Sequence, residues 1–136
     1  MSNLGPIRYL TIHCSGSPAG RNNTAADVCA WDRERFGQPS YHWVIDEQGR
    51  ATRSLPDTRL GAHVGGHNTG NIGVCYIGGT DAALKPLDTR TAAQRDALRR
   101  IVAMYKHDFV AITVRGHRDW PNVKKACPCF DVATEL

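Results

Sequence analysis

Two histidines and a cysteine-bearing tail carry the first chemical signal in this sequence. His13 closes the run "YLTIH" and His117 closes "AITVRGH", each at the end of an apolar, β-rich stretch. In a layered α/β domain, side chains at strand ends converge on one rim of the sheet. Towards the C-terminal end, "VKKACPCFD" (123–131) adds Cys127 and Cys129. Two imidazoles and one thiolate make a zinc site with an open fourth position, the catalytic rather than the closed structural arrangement. Spacing does not choose between the two tail cysteines. Nor does it separate ligand histidines from hydrogen-bonded histidines at strand ends, since neither C-x-x-C nor H-E-x-x-H is present. A Cys127–Cys129 disulfide would close a very small, strained ring through Pro128.

The elements that must position these groups follow from pattern. "IRYLTIH" reads as a buried strand, and "CSGSPAGRNN" as a loop. Thr24 with Asp27 forms a variant capping box. The helix behind it carries Ala25, Val28, Cys29 and Phe36 at helical spacing, interrupted by Asp32, and Gly37 and Pro39 end it. "YHWVID" and "RATRS" flank "EQG" as a hairpin. "GAHVGGHNTG" is too rich in glycine for regular structure and is placed to line a site. "NIGVCYIGG" is a strand. Thr91 and Gln94 cap a second helix, whose buried face is Ala97, Leu98, Ile101, Val102 and Tyr105. The order predicts a single α/β domain over 1–136, a mixed central sheet flanked by helices with the candidate zinc site at one rim. Cys29 and Cys75 read as small buried hydrophobes. Cys14 alternates with His13 along a strand, so it points to the opposite face.

Composition bounds the function. The 136 residues suit one domain, and 41% apolar with 22% charged residues is ordinary for a globular protein. No apolar run approaches the ~20 residues of a membrane span. "MSNLGPIRYL" lacks the charged and apolar regions of a secretory signal, so cytoplasmic synthesis is expected. Five cysteines, an odd number, fit thiols or metal ligands better than disulfides. A net charge of +4 favours an anionic partner such as a wall polymer, but the basic residues are scattered, and direct nucleic acid binding is not expected.

"YLTIHCSGSPAG", "YHWVIDEQGRATR", "GAHVGGHNTGNIGVCYIGG", "RGHRDW" and "KKACPCFD" occur in the order and spacing of the zinc-dependent N-acetylmuramoyl-L-alanine amidases. The sequence resembles the small phage-lysozyme-type amidases and the peptidoglycan recognition proteins, from Tyr9 to Asp131. The resemblance implies one zinc ion held by His13, His117 and Cys127, with Tyr41 and Lys125 as the catalytic pair. It places His63, Asn68 and His67 beside the substrate groove, and makes Cys129 a bystander. The implied reaction cuts the amide between N-acetylmuramic acid and L-alanine of peptidoglycan. The implied setting is a monomeric phage or prophage endolysin that reaches the wall once the membrane is opened.

Each residue then has an expected task. Lys125 would donate to the oxyanion of the tetrahedral intermediate. In an extended tail it shares a side with Cys127, while Lys124 points away. Tyr41 would shuttle protons beside hydroxide held by the zinc. Arg21, Arg53, Arg59 and Arg118 are candidates to hold a substrate carboxylate. Two alternatives accompany this reading. One is a receptor that binds peptidoglycan without cutting it. The other is an amidase that also inhibits RNA polymerase, for which no residue of the sequence identifies a surface.

Overall fold

Alternating apolar and polar side chains in the β-rich runs are resolved by a sheet with a different layer on each face. A computed structural model describes residues 3–136. In chain order the elements are β1 (Tyr9–Cys14), β2 (Ser17–Pro18), α1 (Ala25–Phe36), β3 (Trp43–Ile45), β4 (Ala51–Arg53), β5 (Asn71–Tyr76), β6 (Gly79–Thr80), α2 (Ala92–Asp108), β7 (Thr113–Gly116) and α3 (Val132–Glu135). The central sheet runs β4-β3-β5-β1-β7, parallel except for the β3–β4 hairpin. The mixed sheet with flanking helices is the one expected.

On one face, Leu10, Ile12, Cys14, Ile72, Val74 and Tyr76 pack against Ala97, Leu98, Ile101, Val102 and Tyr105 of α2. On the other, Val28 of α1 meets Val44 and Ile77. Both capping boxes form, Thr24 with Asp27 and Thr91 with Gln94. Gly37 closes α1 at φ 75°, a left-handed conformation in which glycine has no Cβ penalty.

Three sequence expectations need correction. Phe36 is 49% exposed, because the buried stripe of α1 ends at Val28 and Cys29. Part of the loop "CSGSPAGRNN" is a strand: Ser17–Pro18 pairs with Gly79–Thr80 in a separate two-stranded sheet. The tail ends in the short helix α3, which buries Val132 and is capped by Asp131. Each element has only two to four residues, too few for a periodic pattern to show.

Candidate metal centre

The register of the sheet brings the two strand-end histidines together. Ile12 pairs with Gly116 across the parallel β1–β7 ladder, so His13 and His117 each follow one step beyond that pair. Their rings lie 4.6 Å apart between centroids. The pleat sends His13 to the face opposite Cys14, which packs into the α2 core. His117 opens a 3-10 turn, His117–Asp119, held by a 2.8 Å hydrogen bond from the Gly116 N–H to Asp119 Oδ2.

The tail supplies the third group. Cys127 Sγ lies 3.9 Å from His13 Nδ1 and accepts the Cys14 N–H at 3.2 Å. One ligand atom from each of His13, His117 and Cys127 falls within 4.8 Å of the others. Gly116 makes room for this approach, since a Cβ there would sit 2.9 Å from Pro128 Cδ. Cys129, in contrast, turns away and donates its thiol to the Gly79 carbonyl at 3.3 Å.

These three residues face a cleft of about 220 Å³, which Ser15, Tyr41, His63 and Lys125 also line. The opposite wall comes from α1: Asp32, Arg35 and Phe36. Tyr41 precedes β3 and lies 5.1 Å from His13, centroid to centroid. Lys125 and Cys127 share the cleft, as alternation along an extended tail requires.

The electrostatics suit a cation. Burial, then the nearby His63, His117 and Lys125, hold His13 well below the usual imidazole range. Burial and Lys125 lower His117 as well. Both rings therefore offer lone pairs, not charges, at neutral pH. Burial pushes the Tyr41 phenol up, so it stays protonated and can donate. Burial also raises Cys129, to about 11, which keeps it a thiol. Two neutral imidazoles and one cysteine sulfur, gathered at one end of a cleft, are a donor set that fits zinc.

The remaining predicted residues sit elsewhere or face inward. His63 borders the cleft, but both its ring nitrogens are engaged by protein atoms, His13 Nε2 and the Asn71 carbonyl, each at 2.9 Å. Asn68 spends its carbonyl oxygen on the N–H groups of His63 and Val64, both at 2.9 Å. His67 is exposed and stacks on Trp120 at 4.7 Å, lining a neighbouring hollow with Tyr9 and Arg8. Arg21, Arg53, Arg59 and Arg118 do not line the cleft; Arg53 is paired with Asp57 and lies over Trp43. The arginine that does line it is Arg35. Its signal was available in the sequence, since it lies one residue from Phe36 and three from Asp32 on a helix, but charge on a helix reads first as a solvated face.

A model of the N-acetylmuramoyl-L-alanine amidase family matches residues 3–130. The endolysin of Klebsiella phage KP32 is 31% identical over 122 residues, covering 89% of this chain and 80% of that protein. Among solved structures, the endolysin N-acetylmuramoyl-L-alanine amidase LysCS from Clostridium intestinale superposes with a TM-score of 0.77 at 19% identity, over 93% of this chain and 78% of that one. Drosophila PGRP-LB superposes with a TM-score of 0.72 at 23% identity, over 94% of this chain and 78% of that one. At such identities the structural likeness speaks for the fold alone.

Proposed function

Because the chain belongs to the N-acetylmuramoyl-L-alanine amidase family, we propose that it hydrolyses the amide joining N-acetylmuramic acid to L-alanine in peptidoglycan, as a zinc-dependent endolysin. The observation that carries the reading is the meeting of His13, His117 and Cys127 in a cleft that also holds Tyr41 and Lys125. His13, His117 and Cys127 would hold one zinc ion. When bound, zinc supplies Lewis acidity to the scissile carbonyl and makes water a competent nucleophile near neutral pH.

The chain's own groups do the rest. Lys125 places an ammonium at the cleft, where it stabilises negative charge developing on the carbonyl oxygen. Tyr41 donates a hydrogen bond to the same oxygen, because burial keeps its phenol protonated. That narrows the expected proton shuttle to hydrogen-bond donation. Arg35, on the opposite wall, is the cation placed to hold a stem-peptide carboxylate, with the Phe36 ring beside it. His67, exposed on its stack with Trp120, extends the surface beyond the cleft.

The test is mass spectrometry of muropeptides digested by the wild type, by chelated protein and by Cys127→Ser. The expected result is free stem peptide from the zinc-loaded wild type only. Products cut between glycan sugars would refute the amidase. Binding of wall without release, by zinc-loaded protein, would favour a receptor.

A further inference from the structure

Resting on the zinc reading above, we propose that His63 is a positioning residue that holds His13 in the tautomer whose Nδ1 lone pair faces the metal. The argument is one of proton counting. The Asn71 carbonyl can only accept, so His63 Nε2, 2.9 Å away, carries the proton and donates it. A neutral His63 then has its lone pair on Nδ1. That atom lies 2.9 Å from His13 Nε2, so His13 donates from Nε2. A neutral His13 with its proton on Nε2 has a bare Nδ1, the atom that faces Cys127 Sγ. One backbone carbonyl thus sets the protonation pattern of two successive rings and aims a lone pair at the site.

A doubly protonated His63 would break this chain. The ring is 7% exposed, and its hydrogen-bond partners are a backbone carbonyl and another imidazole, with no carboxylate. A buried, unpaired imidazolium is strongly disfavoured.

The seat of the ring is built for it. A Cβ on Gly73 would lie 2.8 Å from His63 Cγ and Cδ2, and one on Gly61 would lie 2.8 Å from His63 Cδ2. Two glycines, one opening the loop and one in β5, therefore flank the imidazole closely. Asn68 clips the loop backbone at His63 and Val64. His42 accepts the Gly73 N–H at 3.0 Å and bonds the Arg59 carbonyl at 2.7 Å, which buttresses the strand behind the ring. None of these residues is a metal ligand. Their shared effect is to fix where the His63 nitrogens point.

The tautomer can be read directly in zinc-free protein by long-range ¹H–¹⁵N NMR of the histidine rings. The wild type is expected to show His13 and His63 both protonated on Nε2 alone. His63→Phe keeps a ring between the two glycines and removes both hydrogen bonds. It is expected to show a mixture of His13 tautomers and a 10- to 100-fold weaker zinc affinity, measured by competition with a chromophoric chelator, the usual range for outer-sphere partners. His63→Gln, which can both accept and donate, should recover part of that loss. Gly73→Ala should weaken zinc in the same sense by displacing the ring. A wild-type His13 protonated on Nδ1 overturns the proposal, as does a folded His63→Phe with wild-type zinc affinity. If His63→Phe does not fold, the wild-type spectrum still decides. A wild type that binds no zinc would sink the metal reading, while the spectrum would still judge the His63–His13 relay separately.

Discussion

Tyr76 donates its hydroxyl to the backbone carbonyl of Pro128 at 2.6 Å, joining β5 to the residue that follows Cys127. Nearby, the Arg90 guanidinium lies 3.4 Å over the Phe130 ring and pairs with Asp88 and Glu135. The third candidate ligand is therefore placed from the sheet and its buried surroundings. Much of the tail around it, including Lys124 and Lys125, is exposed and contributes little packing.

Tyr76→Phe should leave the buried Pro128 carbonyl without its partner. The expected loss is about 1–3 kcal/mol of stability, together with weaker zinc binding because Cys127 is next in the chain. Urea unfolding and chelator competition on the same variant read the two effects. Lost stability with unchanged zinc affinity would mean that the tail is held independently of this bond.

Arg90→Leu should destabilise by about 2 kcal/mol, below the usual 3–5 for a broken buried pair. The discount reflects its partners: Asp88 and Glu135 are partly open to solvent and rehydrate when the arginine is gone. Arg90→Lys should not restore the loss, since a point charge cannot bridge two carboxylates and stack on Phe130 at once. Thermal unfolding of both variants checks this.

The zinc-free protein should lose stability as pH falls below about 6.5. Burial lowers His42, and it lowers His63 to about 3, whereas both titrate near 6.5 in an unfolded chain. Between those limits the unfolded state takes up protons that the folded state refuses, so stability rises with pH. Each such histidine contributes a slope of up to about 1.4 kcal/mol per pH unit. Asp32, its carboxyl pushed upward by burial, acts in the opposite sense, because its folded form holds a proton longer. Denaturant midpoints at pH 8, 6 and 5 test the net result; a flat profile would show that the buried histidines do not dominate it.

Tyr41→Phe and Lys125→Met should lower kcat by roughly 10²–10³ while leaving zinc content unchanged. Cys127→Ser should lose both. Lys125 is exposed, so its replacement should shift stability by no more than about 0.5 kcal/mol. Turnover near wild type in zinc-loaded Tyr41→Phe would remove the phenol from the mechanism.

The fold was legible wherever local chemistry and periodicity agreed. Both capping boxes, the β3–β4 hairpin and the buried face of α2 are written in residue order, and strands ending in His13 and His117 pointed to one rim. What stayed hidden depended on distant chain. Gly61 and Gly73 looked like loop and strand glycines until the His63 ring appeared between them. The family resemblance put His63 and Asn68 beside the groove; His63 does line the cleft, while its ring nitrogens and the Asn68 carbonyl oxygen bond to partners that residue order does not reveal. Arg35 and Phe36 became cleft residues only once α1 was placed across from the tail.

His13 and Cys127 meet across 114 residues of sequence. The donor set therefore has no local precursor, and a chain interrupted anywhere between them lacks at least its thiol. During synthesis, the cleft can be completed only after the tail has left the ribosome and found the end of β1. A metal bridging these two positions would also act as a clasp on this long excursion of the chain, present only in the folded state, so its binding energy adds to folding. Lytic activity would then double as a quality check: a molecule able to cut the wall must first have been made through residue 127 and correctly closed.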